Sequence, residues 1–428
     1  MNRKNFFKAS AILAASTALY NPIIASTFVQ RKIRVGLIGV NGMGWANLND
    51  LLKVENVVCT ALCDVDSNVL NRRKSELEKR NINVKIYDDH RKLLSDDIVD
   101  VVIIATPDHW HCIQFVDAVK AGKHVYIEKP IGNSIRECEV MVSAAAKSNS
   151  IVQVGQWQRS QQHFKDAMDF VHSGKLGKIR LAKAWSYVGW KDPIIKVADA
   201  PVPAGVNYDK WLGPAQKRNF NPNRFHFEFR WFWDYAGGLM TDWGVHLLDF
   251  ALIGMKAKFP KSIVASGGVF ADPNTAAETP DTLTAMYEFD DFNIQWEHAL
   301  GIASGPYNRD HGVAFIGNNG TLVVNRGGWE VIPDGKKMEA VSFQKSVDNG
   351  LERHMQNFVQ AILKKDKSLV ATPIEAGSHV AIVSQMGNIA YRTGQKIYWD
   401  QTTKRFKDEA SNKYLAAAYH NGYSIPQV

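Results

Sequence analysis

The sequence predicts an α/β chain in two parts: an N-terminal doubly wound parallel sheet, then an α+β part built on a large, mostly antiparallel sheet. Three observations carry this. Between Lys32 and about Ser150, short apolar runs (IRVGLIGV, VVCTALCDV, VDVVIIAT, KHVYIEKP) alternate with helix-length segments. Val/Ile-rich runs without alternation mark strands buried on both faces, as parallel sheets require. After Ile151 the runs turn amphipathic, as in TLTAMYEFDD and FNIQWEHAL, and such alternation marks strands with one wetter face. Finally, 428 residues of which 45% are hydrophobic are enough to bury more than one core.

Taken in chain order, residues 1–10 are basic through Arg3, Lys4 and Lys8. An apolar AILAASTALY follows, then small residues around Ala25-Ser26. This is the layout of a signal peptide over residues 1–26, and it predicts export, with a periplasmic destination. Arg3-Lys4-Asn5-Phe6-Phe7-Lys8 resembles a twin-arginine signal with Lys at the second Arg, which leaves that route and the general secretory route open. No later run approaches the roughly 18 apolar residues of a spanning helix. The parallel-sheet domain is assigned residues 32–150 and the substrate-binding domain residues 151–428. Helices are expected from Ile113 to Ala121, closed by Gly122, from Leu351 to Lys364, and from Ile374 to Thr393 with Gly394 as C-cap. A late helix is expected to pack back on the first domain. The net charge of +8 includes the three N-terminal bases, and no Lys/Arg block is interleaved with aromatics, so nucleic acid is not an expected partner. Cys59 and Cys63 fall in one strand, about 13 Å apart, too far for a disulfide.

Gly39-Val40-Asn41-Gly42-Met43-Gly44 stands between the first strand and a helix. That is the context of a phosphate turn, in which backbone N–H groups at a helix N-terminus meet a pyrophosphate. Asn41 replaces the second glycine of GxGxxG, a substitution explained at this level by the readiness of Asn to adopt left-handed backbone angles. Twenty residues past Gly44, the second strand ends in Asp64, positioned to accept ribose hydroxyls and to repel a 2′-phosphate. A Rossmann-type NAD site is predicted. NADP is the alternative, through Arg72 and Arg73.

Lys129 closes the KHVYIEKP strand at the sheet edge where ligands bind. Its ammonium could bond a reacting hydroxyl or lose its proton to act as base; surface exposure or pairing with Glu128 are the alternatives. If Leu239 to Phe250 is one helix, Asp242, His246 and Asp249 share a face, so that Asp242 can orient or charge-stabilise His246 as acid/base. The same residues with His109 or His111 could be read as metal ligands. Alcohol oxidation by NAD needs no metal, and none is assigned.

The segments ATPDHWH (105–111), GKHVYIEKP (122–130) and GGLMTDWGVHLLD (237–249), with GQWQR (155–159), SGKLGKI (173–179) and the late RTGQ, together resemble the glucose-fructose oxidoreductase and inositol dehydrogenase (Gfo/Idh/MocA) family. The resemblance implies a sugar oxidoreductase in which Lys129 is catalytic, joined by His246 and Asp242. It also implies that Thr106, Pro107, His111, Glu128 and Lys129 border the cofactor with Gly39, Asn41, Gly42, Met43, Gly44 and Asp64. Asp108 departs from the family's TPN-x-x-H pattern. His109, Trp110, Arg159 and Tyr187 are candidate substrate contacts beside Asp242 and His246. Six tryptophans between Trp185 and Trp243 suit a carbohydrate pocket, although most are expected in the core. An exported enzyme meets no free NAD pool, so tightly bound NAD(H) is expected. The function expected is oxidation of a sugar or glycoside hydroxyl, with C3 as the family's expectation. An NAD-dependent glycosidase working through a keto-sugar and a sugar-binding protein with a vestigial cofactor site are the alternatives. A dimer or tetramer paired through the open sheet is expected.

Overall fold

The computed structural model describes residues 32–428; the expected signal segment lies outside them. Six strands, β1 (Ile33–Ile38), β2 (Val57–Cys63), β3 (Lys85–Tyr87), β4 (Val101–Ile104), β5 (His124–Ile127) and β6 (Val152–Val154), form an all-parallel sheet in the order β3-β2-β1-β4-β5-β6. The strand order reverses between β1 and β4, which opens a crevice at their C-terminal ends. Every residue of β4 is buried because helices cover both faces. The edge strands β3 and β6 have three residues each and left no apolar run to read. The boundary at 150 needs correcting, since Val152–Val154 pairs in parallel with β5 and ends the sheet.

The intervening helices are α1 (Gly42–Leu51), α2 (Ser67–Glu78), α3 (His90–Leu94), α4 (Asp108–Lys120) and α5 (Ile135–Ala146). Ten further strands are β7 (Ile179–Val188), β8 (Ser262–Gly268), β9 (Thr282–Glu288), β10 (Asn293–Leu300), β11 (His311–Gly317), β12 (Gly320–Asn325), β13 (Gly328–Pro333), β14 (Val341–Lys345), β15 (Ile397–Asp400) and β16 (Arg405–Phe406). They form a second sheet in the order β14-β13-β12-β11-β7-β10-β9-β8-β15-β16, antiparallel except where β7 meets β10. The helices of this part are α6 (Gln162–His172), α7 (Tyr208–Leu212), α8 (Gly238–Asp242), α9 (Gly244–Gly254), α10 (Gly350–Lys364), α11 (Ile374–Thr393) and α12 (Glu409–Asn412). Helices α6, α9 and α11 cover one face of the second sheet. The other face carries the Lys183–Glu297 ion pair at 3.1 Å and Val264, which is 45% exposed.

Two late helices tie the sheets together. The apolar stripe of α10 buries Met355, Phe358 and Val359 in one core with Leu37, Leu48 and Tyr126 of the parallel layer. Helix α11 has the expected bounds and ends at Gly394 in the left-handed region, φ 64°. It packs against both α5 and β8. The helix expected over Leu239 to Phe250 is divided: α8 stops at Asp242 and α9 starts at Gly244. All four cysteines are buried and unpaired. No helix among the described residues is long and apolar enough to cross a membrane.

Candidate active site

After β1 the chain turns at Gly39, φ 84°, where a Cβ would lie 2.6 Å from the Ala105 carbonyl oxygen. A Cβ on Gly44 would lie 2.1 Å from the Gly39 oxygen, so α1 seats on the turn only without a side chain there. Gly42 also has positive φ, 45°. Asn41 is extended (φ −101°), which corrects the left-handed explanation: the strained angles fall on the glycines. Its side chain makes no cap bond, which leaves the first N–H groups of α1 without a partner beside the cavity that Asn41, Gly42 and Met43 border. These features fit a pyrophosphate. Asp64 accepts hydrogen bonds from the backbone N–H of Val40 (2.9 Å) and of Asp66 (3.0 Å), tying β2 to the turn. Burial pushes its carboxyl up, and those two bonds oppose the shift. Each oxygen keeps a second acceptor position.

A cavity of about 500 Å³ runs along the switch point, roofed by loops from the second half. Near β2 the two halves clasp through Lys210–Asp88 (2.7 Å) and His226–Asp66 (3.0 Å). Near β5, Lys129 Nζ donates to Asp242 Oδ1 at 2.6 Å and to the Asp242 carbonyl at 3.1 Å, which leaves one of its three donors free. Glu128 also borders the cavity, but its carboxylate accepts from Asn47 (2.8 Å) and from the Lys129 backbone N–H (3.1 Å) and not from the ammonium. Burial alone would raise Asp242, but Lys129, Arg230 and Arg326 outweigh it and hold its carboxyl at about 2. Arg230 Nε stands 3.6 Å away.

His246 differs from expectation. Burial, then the charges of Lys129, Arg326 and His311, hold the ring well below its ordinary value, so it is neutral. Its Nδ1 is buried without a partner, and Asp242 makes no hydrogen bond to it. The helix break at Trp243 and the stronger claim of Lys129 on the carboxylate are the reasons. Trp157 and Trp243 flank the ring, each at 6.3 Å.

Thr106, Pro107 and His111 border the cavity. The His111 ring lies 2.7 Å from the Pro130 carbonyl and 2.8 Å from that of Thr106, bracing the ends of β4 and β5 against each other. Burial pushes the ring down to about 4. Trp110 borders the cavity and donates to the Trp211 carbonyl at 2.9 Å. His109 does not border it; the ring is buried against Trp211 and Tyr235. Arg159 is no free substrate contact either. Its guanidinium is committed to Asp249 through bonds of 2.7 and 2.5 Å, joining the 157–160 turn to α9. Tyr187 lies on the open face of the second sheet, donating to Glu297 at 3.3 Å. Of the six clustered tryptophans only Trp211 borders the cavity; Trp110 and Trp157 join it from elsewhere.

Sequence reasoning missed Arg230, Arg326 and Tyr423. Arg326 lies between the rings of Trp157 (4.7 Å) and Trp243 (4.4 Å), and Tyr423 reaches the cavity from the C-terminal tail. Neither spacing nor composition brings these together. Among the described residues no group of three or more His, Cys, Asp or Glu is placed to hold a metal.

Compared with known proteins, residues 33–156 match the model described as oxidoreductase family, NAD-binding Rossmann fold, and residues 165–425 match its companion, the oxidoreductase family C-terminal alpha/beta domain. A curated relative, glycosyl hydrolase family 109 protein 2 of Shewanella sp. (strain ANA-3), is 34% identical over 167 residues. That alignment covers 34% of this chain and 37% of the relative's length. Aldose-aldose oxidoreductase from Caulobacter crescentus, solved with glycerol, superposes with TM-score 0.64 at 19% identity over 86% of this chain and 100% of that one. Levoglucosan dehydrogenase, solved with NADH, superposes with TM-score 0.65 at 18% identity over 86% and 98%.

Proposed function

Because the chain belongs to the Gfo/Idh/MocA oxidoreductase family, we propose that it is an NAD(H)-dependent enzyme acting on a hydroxyl of a sugar or glycoside. One observation carries the reading: the Lys129–Asp242 pair and the glycine turn border the same cavity. Bound NAD supplies the hydride acceptor. The free N–H of Lys129 donates to the substrate oxygen as its proton departs, a stabilisation that grows as negative charge develops, and Asp242 orients the ammonium through its two bonds. His246, whose ring burial holds well below its ordinary value, takes the departing proton. The names of the two solved neighbours support a carbohydrate substrate, with C3 of a pyranoside as the family expectation. The glycosyl hydrolase relative supports a second reading, an NAD-dependent glycosidase.

Export through the N-terminal segment belongs to the same proposal, and it implies a cofactor that stays bound. Purified protein is therefore expected to carry NAD(H) in native mass spectrometry. Absence of cofactor, with no binding at millimolar NAD, would sink the reading. The open face of the second sheet is proposed as the surface of a homo-oligomer. Light scattering should give a dimer or tetramer at micromolar concentration, and a monomer refutes it.

A further inference from the structure

Asp108 opens α4 and borders the cavity that holds Lys129 and Asp242, yet no other side chain bonds its carboxyl. It is 7% exposed, and only its own backbone N–H donates to it. Three charged groups face it without reaching ion-pair distance: Arg230 from the 226–231 turn, Asp242 from α8 and Lys129 from the end of β5. The neighbouring His109 and His111 of α4 are themselves pushed down to about 4. Burial dominates and pushes the Asp108 carboxyl up to about 8, whereas Asp242 sits at about 2. Two carboxyls in one cavity, one kept ionised and the other kept protonated, are the arrangement that separates acid from charge-holding roles. Hydride removal has no use for a neutral acid, because a proton must then leave the substrate. Cleavage of a bond to oxygen does need one.

We propose that Asp108 is the proton donor of this site, delivering its proton to the glycosidic oxygen of a glycoside whose sugar has been oxidised beside Lys129. The proposal rests on the redox reading above and extends it to bond cleavage. Once the sugar carries a ketone, the C–H bond next to it gives its proton to a base and its electron pair to a new C=C bond. The C–O bond breaks with its pair on the departing oxygen. Asp108 loses its O–H bond, that oxygen gains one, and the carboxylate is reprotonated from solvent. The cleavage step is redox-neutral.

The test uses NAD-loaded protein, wild type and Asp108→Asn, on methyl and 4-nitrophenyl hexopyranosides of the same sugar. The carboxamide keeps the shape but has no acidic proton, so methyl glycoside cleavage should fall about 10²- to 10⁴-fold. The 4-nitrophenyl glycoside, whose leaving group needs no acid, should fall far less. Equal losses on both, or none, overturn the assignment. Wild type that oxidises the sugars and cleaves neither glycoside also overturns it while leaving the redox reading intact; failure to bind NADH brings both down. A second readout is independent of substrate. With its folded value near 8 and the ordinary value 3.8, Asp108 resists ionisation only in the folded state, so wild type should lose stability from about pH 4 to about pH 8. The melting temperature of Asp108→Asn should gain on wild type across that window. A constant difference would show that the carboxyl is ionised throughout and overturn the proposal.

Discussion

Lys129→Ala is expected to lower turnover by about 10²- to 10⁴-fold while leaving NADH affinity nearly unchanged. The loss is large because the ammonium has one donor left after bonding Asp242 twice, and that donor meets the substrate oxygen when its charge develops. The fold should survive, since Arg230 remains 3.6 Å from the Asp242 carboxylate and continues to offset it. Asp242→Asn should cost less, for the carboxamide oxygen still accepts from Lys129 but no longer holds the ammonium by charge. Steady-state kinetics with NADH fluorescence titration check both. Near-normal turnover in Lys129→Ala, with cofactor bound, would show that the ammonium does not serve the substrate oxygen.

Arg159→Ala should destabilise the protein by about 3–5 kcal/mol, the cost of leaving a buried carboxylate without its cation. The Asp249 side chain is 2% exposed, and no other basic group pairs with it among the described residues. Replacing both residues with apolar ones of similar volume, Arg159→Met with Asp249→Leu, should recover most of the loss. Urea denaturation measures this. An unchanged midpoint with a raised KM would instead return Arg159 to the role of a substrate contact.

The contrast between these two residues shows what was legible. Lys129 could be assigned from its place at the end of a β-strand, because strand direction alone puts such a residue at the ligand edge of a parallel sheet. Arg159 could not, because the motif GQWQR does not say which acid lies across from it; Asp249 is 90 residues away. The expected pairing of Asp242 with His246 failed differently. Their four-residue spacing assumed one helix, and the break at Trp243 gave the carboxylate to Lys129.

Periodicity and turn chemistry alone determined the two-sheet architecture, the glycine turn, the acid that follows β2 and the full extent of α11 with its Gly394 cap. Each depends on interactions within a few residues, so each is written locally. Tertiary structure alone decided the partner of every buried charge, the downward push on His246 and the upward push on Asp108, the sandwiching of Arg326 and the return of Tyr423 to the cavity. Those follow from desolvation and from contacts between segments far apart in the chain, and the free energy of a buried charge depends on its whole surroundings rather than on its neighbours in sequence.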